Sequence, residues 1–314
     1  MWTPTATSNV IRTAFFGTPA PAVPSLQALL AADDIEVAAV ITNPDRPSGR
    51  GHKLTPPPVK VVADQAGVEV WQPERARDVI DDLKALDVDV CAVVAYGLIL
   101  PQDLLDVGGH GFVNLHFSLL PAWRGAAPVP ASILAGDTTT GVTCFRLDAG
   151  MDTGGILATH ATRIAGDETS GELTHRLAEA GASVLVQAVT GLVEGSATPT
   201  PQDDTAATYA PKISAADARL DFMDPAELID RQVRAYNPMP GAHTTMDGRR
   251  LKIHRVTPQP GQGQPGTVIT HHDSRPVVAC GTGAVRLDQV QPAGKPRMDG
   301  ADLANGYRPT ALGR

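Results

Sequence analysis

The chain has 314 residues, 42% of them apolar, 19% charged and 4% aromatic, with 30 Gly and 27 Pro. That is enough apolar material for real cores in two domains, and the Gly and Pro content stays below that of a disordered or fibrous chain. The formal net charge of −8 argues against nonspecific nucleic-acid binding through bulk charge.

In chain order, residues 1–9 read as a disordered extension with no functional signal. Arg12–Phe16 is short, apolar and ends at Gly17, after which Pro19–Ala32 predicts a helix. Val37–Thr42 is a continuous apolar run, as expected of a strand buried on both faces. Helices are predicted at Val59–Ala66 and Glu74–Leu86, separated by a short strand at Val68–Trp71. Val88–Val94 is the strongest strand, followed by Phe112–His116, a helix over Ala126–Ala135, strands at Val142–Leu147 and Ile156–Ile164, and a long helix over Ser170–Val193. Strands alternating with helices imply a mostly parallel, doubly wound, Rossmann-like α/β sheet. Ser196–Thr208 is rich in Ser, Thr, Pro and Asp and reads as a linker. One helix over Pro225–Tyr236 then precedes five short apolar runs between Ala242 and Val290, broken by Gly, Pro and Asp247-Gly248 turns, the pattern of a small, OB-like β-barrel or open barrel. The expected division is a catalytic domain over 10–195, a linker over 196–212 and a C-terminal domain over 213–314.

The longest apolar stretch, Val88–Pro101, contains Asp89 and falls short of the roughly 20 residues that span a bilayer. The N-terminus lacks a basic start followed by an apolar run. Cys91, Cys144 and Cys280 are odd in number and far apart, which excludes a disulfide framework and a CxxC metal knuckle. A cytoplasmic protein without membrane or metal is expected. Charge is uneven along it: residues 1–212 hold 13 Lys+Arg against 24 Asp+Glu, and 213–314 hold 13 against 10. The basic balance of the second part suits the holding of a polyanion.

Several segments carry chemistry. The first strand-to-helix turn, Phe16-Gly17-Thr18-Pro19, has one Gly instead of GxGxxG, and the second strand ends in Thr42-Asn43 without an acidic residue, so a nicotinamide dehydrogenase is excluded. Asn114 and His116 stand at spacing two on a strand and so share a face, at the carboxyl end where open α/β sheets bind ligands. A carboxamide beside an imidazole can stabilise an oxyanion and move a proton; a hydrogen-bonded pair closing a strand has the same spacing. Asp148 and Asp152 both lie in the Gly-rich loop after Val142–Leu147, and either could face His116 or simply cap the turn. Residues 43–58 hold Arg46, Arg50, His52 and Lys53 among Pro and Gly, and suit phosphate contacts or a plain solvated loop. Trp123 and Arg124 fit a loop anchor or a ligand contact, and His271-His272-Asp273 reads as a turn.

Taken together, FFGTP (15–19), NPDRPSGRG (43–51), PVK (58–60), VVAYGLILP (93–101), NLHFSLLPAWRGAAP (114–128), GVTCFRLDAGMDTG (141–154) and YNPMPGA (236–242) resemble the methionyl-tRNA formyltransferases, in that family's order and over essentially the whole chain from residue 10. NxHxSLLP with a downstream DxGxDTG belongs to folate-dependent formyltransferases in general, while the basic loop, AYGLILP and the C-terminal NPxP segment mark the tRNA branch. The resemblance implies Asn114, His116 and Asp152 as catalytic residues. Ser118, Leu119, Leu120 and Pro121 become part of a folate-binding loop, and Tyr96, Gly97 and Leu98 border the pterin. Arg46, Arg50 and Lys53, with Lys212, become tRNA contacts. It further implies 10-formyltetrahydrofolate as co-substrate, initiator methionyl-tRNA as partner, no metal, and a monomer. Two positions depart from the family: Phe117 stands where a small residue is usual, and His52 replaces a basic one. The competing expectations are a formyltransferase acting on a small amine, such as glycinamide ribonucleotide or an amino sugar, and a non-catalytic RNA-binding module.

Overall fold

The computed structural model describes residues 10–48 and 53–313. The chain begins β1 (Ile11–Gly17), α1 (Val23–Ala31), β2 (Ile35–Ile41), a small hairpin β3 (Arg46–Ser48) and β4 (Lys53–Thr55), α2 (Pro58–Ala66), β5 (Val70–Trp71), α3 (Ile80–Leu86) and β6 (Val90–Val94). It continues through α4 (Gln102–Leu105), β7 (Phe112–His116), β8 (Arg124–Gly125), α5 (Pro128–Ala135), β9 (Thr139–Arg146), β10 (Ile156–Arg163), α6 (Ser170–Val193) and β11 (Tyr209–Ala210). The last part holds α7 (Ala226–Ala235), β12 (His243–Met246), β13 (Arg249–Gln259), β14 (Val268–His272), β15 (Arg275–Ala279), β16 (Ala284–Pro292), β17 (Met298–Asp299) and α8 (Gly300–Tyr307).

Two compact units result. The first takes the chain up to Gly125 with Thr140–Thr162 and Thr174–Tyr209; the second takes Ala126–Thr139, Arg163–Leu173 and the chain after Tyr209. In the first, seven strands run in the order β10-β9-β7-β6-β1-β2-β5. β7, β6, β1, β2 and β5 pair in parallel, and β9 runs antiparallel to β7. Central strands of such a sheet must be apolar throughout, and all five residues of β6 are buried. Phe16, fully buried, packs its ring edge-on to Tyr96 at 5.3 Å and tilted to Phe112 at 5.4 Å.

The helix α6 is long and apolar enough to cross a membrane by length and composition, yet Leu177, Leu185 and Val189 on it are fully buried in the fold. Gly181 on the same helix lets Leu115 approach so closely that a Cβ would meet its Cδ2 at 2.8 Å. The Ser/Thr/Pro/Asp-rich stretch after α6, expected as a linker, is hydrogen-bonded to the first unit: Thr200 and Ile156 exchange both backbone bonds at 2.8 Å, and β11 pairs with β8.

The second unit carries an antiparallel sheet in the order β12-β13-β16-β15-β14, with β17 on β16. Among the described residues its end strands, β12 and β14, do not pair, which is the open form of the expected small barrel, and the β13–β16 register shifts on either side of Arg255. Ala226, Ile229, Val233 and Ala235 form the buried stripe of α7. Sequence reasoning missed α8, because Asn305-Gly306 inside it reads as a turn; Asp299 starts it by accepting from the Ala301 N–H at 2.8 Å.

Replacing Phe16 by Ala should cost about 3–5 kcal/mol of stability, the range for emptying a fully buried ring site. Ile99, which is 92% exposed, should tolerate Ala within about 0.5 kcal/mol. Denaturant unfolding of the two variants measures both.

Candidate active site

The site forms at the carboxyl end of β7. Asn114 sits opposite Phe145 of β9 and His116 opposite Thr143, so the two polar side chains share a face, as their spacing predicts. Asn114 is half-buried, and His116 is 6% exposed. The His116 ring stands edge-on to Phe145 at 6.4 Å.

Two opposite contacts define the imidazole. Its Nε2 lies 2.9 Å from the Trp123 carbonyl oxygen. A carbonyl only accepts, so Nε2 carries the proton in the neutral ring and Nδ1 is left with its lone pair. Nδ1 faces Asp152 Oδ2 at 3.8 Å. That is too far for a good hydrogen bond and close enough for charge to matter. Burial pushes the His116 pKa below its ordinary value; Asp152 and the Trp123 carbonyl oppose that shift without overcoming it. The resting ring is therefore neutral near pH 7, with an open proton-accepting nitrogen beside a carboxylate.

The loops that supply these partners are pinned by hydrogen bonds. The Ser118 hydroxyl donates to the Ala122 carbonyl at 2.6 Å, and the Thr143 hydroxyl donates to the Ser118 carbonyl at 2.7 Å while accepting from the Leu120 N–H at 3.0 Å. Ser118 and Leu120 are buried, so their part is to shape the turn that leads to Trp123; Leu119 and Pro121 are half-buried. The Gly125 N–H donates to Asp152 Oδ2 at 2.7 Å, which fixes the carboxylate. Distance now separates the two acids that spacing left equal: Asp148 accepts from the Gly150 N–H and the Thr153 hydroxyl and caps its own turn, whereas Asp152 faces His116. Arg124 resolves as a loop anchor. Its side chain is 2% exposed and binds Gln202 Oε1 and Asp204 Oδ1. Gln202 escaped sequence reasoning; the one available signal was that a buried Arg needs an acceptor from elsewhere.

Around the turn after β6, the Tyr96 ring is buried and its carbonyl accepts from the Thr18 hydroxyl and Asn43 Nδ2. Gly97 is exposed with φ +87°, and Leu98 is half-buried. Ile99 on this loop and Met151 beside Asp152 expose large apolar side chains, 92% and 57%. Arg46 is exposed at the start of the β3–β4 hairpin, and Lys212 is exposed in the second unit. Lys53 begins β4, whereas Arg50 and His52 lie outside the described residues. The base of the hairpin is held by Lys60, whose ammonium contacts Asp45 at 3.0 Å and Gln72 at 2.8 Å.

The family model described as "Formyl transferase" matches residues 11–189, and "Formyl transferase, C-terminal domain" matches 212–308. A methionyl-tRNA formyltransferase of Frankia alni is 45% identical over 96% of this chain and 92% of its own length. One of Thermobifida fusca is 47% identical over 95% and 97%. Among solved structures, an N-formyltransferase from Helicobacter canadensis, in complex with folinic acid and dTDP-3-aminofucose, superposes with a TM-score of 0.67 at 18% identity, covering 90% of this chain and 99% of that one; this likeness speaks to the fold.

Burial makes a pH prediction with a definite sign. His116, His243 and His254 all have pKa values below the ordinary one because burial disfavours the cation. Between each lowered value and about 6.5 the unfolded chain binds more protons, so stability rises with pH through that window and is lost as pH falls below about 6.5. NMR titration should place the His116 transition below about 6.5, and Asp152→Asn, which removes the opposing charge, should lower it further. A transition at or above the ordinary value contradicts the neutral resting ring.

Proposed function

The chain belongs to the methionyl-tRNA formyltransferase family, and on that premise we propose that it transfers the formyl group of 10-formyltetrahydrofolate to the α-amine of methionine on initiator tRNA, as a cytoplasmic monomer. The observation that carries the reading is the His116–Asp152 apposition beside Asn114: a neutral imidazole with a free Nδ1, a fixed carboxylate 3.8 Å away, and a carboxamide on the same strand face.

The reaction needs little more than those groups. The attacking amine must be uncharged, and an α-amino group with a pKa of about 7.7–8.0 has an accessible neutral form near pH 7. Attack on the formyl carbon makes a tetrahedral centre with an anionic oxygen and a positively charged nitrogen. Asn114 donates its amide hydrogen to that oxygen. The nitrogen gives its proton to His116 Nδ1, directly or through water, and Asp152 stabilises the imidazolium that results. The same ring then returns the proton to N10 of the folate as the C–N10 bond breaks, so the enzyme ends as it began. Burial helps the second step, because a ring that is reluctant to stay charged gives up its proton readily, while the Asp152 carboxylate supports the first by favouring the imidazolium. The exposed Ile99 and Met151, on the loops after β6 and β9, offer apolar contact of the kind a flat pterin and benzoyl ring require.

Chemistry is assigned to residues 10–195 and tRNA grip to 213–314 with Lys212, Arg46, Arg50 and Lys53. The tRNA reading is favoured over the amino-sugar one by 45–47% identity to methionyl-tRNA formyltransferases along 95–96% of the chain, against 18% to the amino-sugar enzyme.

Asn114→Ala should lower turnover roughly 100- to 1000-fold, about 2.7–4 kcal/mol of barrier, with folate affinity nearly unchanged. A folded variant with wild-type turnover removes Asn114 from the mechanism. Formylation of charged initiator tRNA, elongator methionyl-tRNA and small amines, each with 10-formyltetrahydrofolate, tests the acceptor. Lys212→Ala should weaken tRNA use and reduce the slope of log affinity against log salt by about 1; an unchanged slope removes Lys212 from the interface.

A further inference from the structure

Residues 199–209 have the composition of a passive connector, yet they close the candidate site from outside. The Thr208 hydroxyl accepts from the Trp123 N–H at 2.9 Å, its carbonyl accepts from the Arg124 N–H at 2.9 Å, and its own N–H reaches the Pro121 carbonyl at 3.3 Å. Six residues earlier stands Gln202. Its Nε2 donates to the Asp152 carbonyl and to the Gly154 carbonyl, both at 2.8 Å. Its Oε1 accepts from Arg124 Nε at 3.1 Å and Nη2 at 2.8 Å.

A side-chain carboxamide has two donor hydrogens and two lone pairs, and Gln202 uses all four. They go to two different loops, and those loops supply the two groups that face His116. Arg124 follows Trp123, whose carbonyl holds Nε2; Asp152 faces Nδ1. Asp152 also sits at φ +54°, in the left-handed region that Asp enters more readily than most residues with a Cβ and that suitable surroundings hold in place. The two Gln202 donations, one to Asp152 itself, and the Gly125 N–H on its carboxylate are such surroundings. No other side chain can replace the carboxamide: a carboxylate cannot donate and an ammonium cannot accept.

We propose that Gln202 is a positioning residue for formyl transfer. It fixes the separation of the Trp123 carbonyl and the Asp152 carboxylate across the imidazole, and so sets the tautomer and the proton affinity of His116. The proposal rests on the catalytic reading given above for His116 and Asp152.

Gln202→Glu separates holding from shape. It keeps the size and offers Arg124 two acceptor oxygens, but it sets those oxygens against the carbonyls of Asp152 and Gly154 and releases that loop. The expected result is kcat lowered about 10- to 100-fold, the loss that a displacement near 1 Å produces, with KM for both substrates within about twofold. The His116 NMR titration should move to lower pH, because Asp152 no longer supports the cation. Gln202→Met, which removes both sets of bonds at similar volume, carries the same comparison if the Glu variant does not fold. A folded variant with wild-type kcat, or one whose kcat falls while the His116 titration stays put, overturns the positioning role. Asp152→Asn, assayed alongside, keeps the two readings apart. If that variant turns over like wild type, the catalytic reading itself is wrong; if it is slow while Gln202→Glu is normal, the positioning proposal alone falls.

Discussion

One hydrogen bond organises the candidate site: the Trp123 carbonyl on His116 Nε2. By taking the only proton of a neutral ring, it decides which nitrogen remains basic. That nitrogen faces the carboxylate of Asp152, which is itself oriented by the Gly125 N–H. Most of the surrounding polar structure then has one job, which is to keep a backbone carbonyl and a carboxylate on opposite sides of a buried ring. Ser118, Thr143 and Thr208 shape the loop that presents the carbonyl; Arg124 and Gln202 tie that loop to the one bearing the acid. Trp123 has φ +63° and Asp152 +54°, so both groups that meet the ring come from residues in the left-handed region, held there by their neighbours.

Burial of so many polar groups would ordinarily be costly. Arg124 shows how the cost is offset. A guanidinium at 2% exposure is tolerated because Gln202 accepts two of its hydrogens and Asp204 a third, the latter from a side chain that is 80% exposed and keeps much of its own hydration. The arrangement trades stability for definition: it fills the space behind the loop with directional bonds, where an apolar plug would pack equally well and orient nothing.

How much of this was legible beforehand follows from what kind of information each feature needs. The parallel sheet was readable because strands buried on both faces have to be apolar throughout, as β6 is. Asn114 and His116 were readable because period two puts them on one face whatever the tertiary details. Asp148 and Asp152 were not separable by spacing, since their difference lies in loop conformation: one closes a turn on Thr153, the other turns back to the ring. Arg124 could be anchor or ligand contact until its acceptors were located. Gln202 carried no local signal, because a carboxamide in a Pro- and Asp-rich stretch has a meaning only through the partners it meets some 50 and 78 residues away. The short runs after Ala242 announced a small antiparallel sheet, but whether its end strands meet is not encoded by alternation within strands, and the reading left both the closed and the open barrel standing.

The two tasks of the proposed reaction also answer to different physics, and the charge distribution follows that difference. Proton movement at His116 takes place in a buried setting where the Asp152 charge is weakly screened, so salt has little hold on it. The proposed grip on a polyanion would fall to exposed cations such as Arg46 and Lys212, whose effect salt screens strongly. The chain carries a net negative charge overall, with its basic excess in residues 213–314, while Arg46 and Lys212 are local cations within the acidic first part. If tRNA binds as proposed, the acidic excess of the first 212 residues repels it from most of their surface, so that charge bears on orientation as well as on affinity.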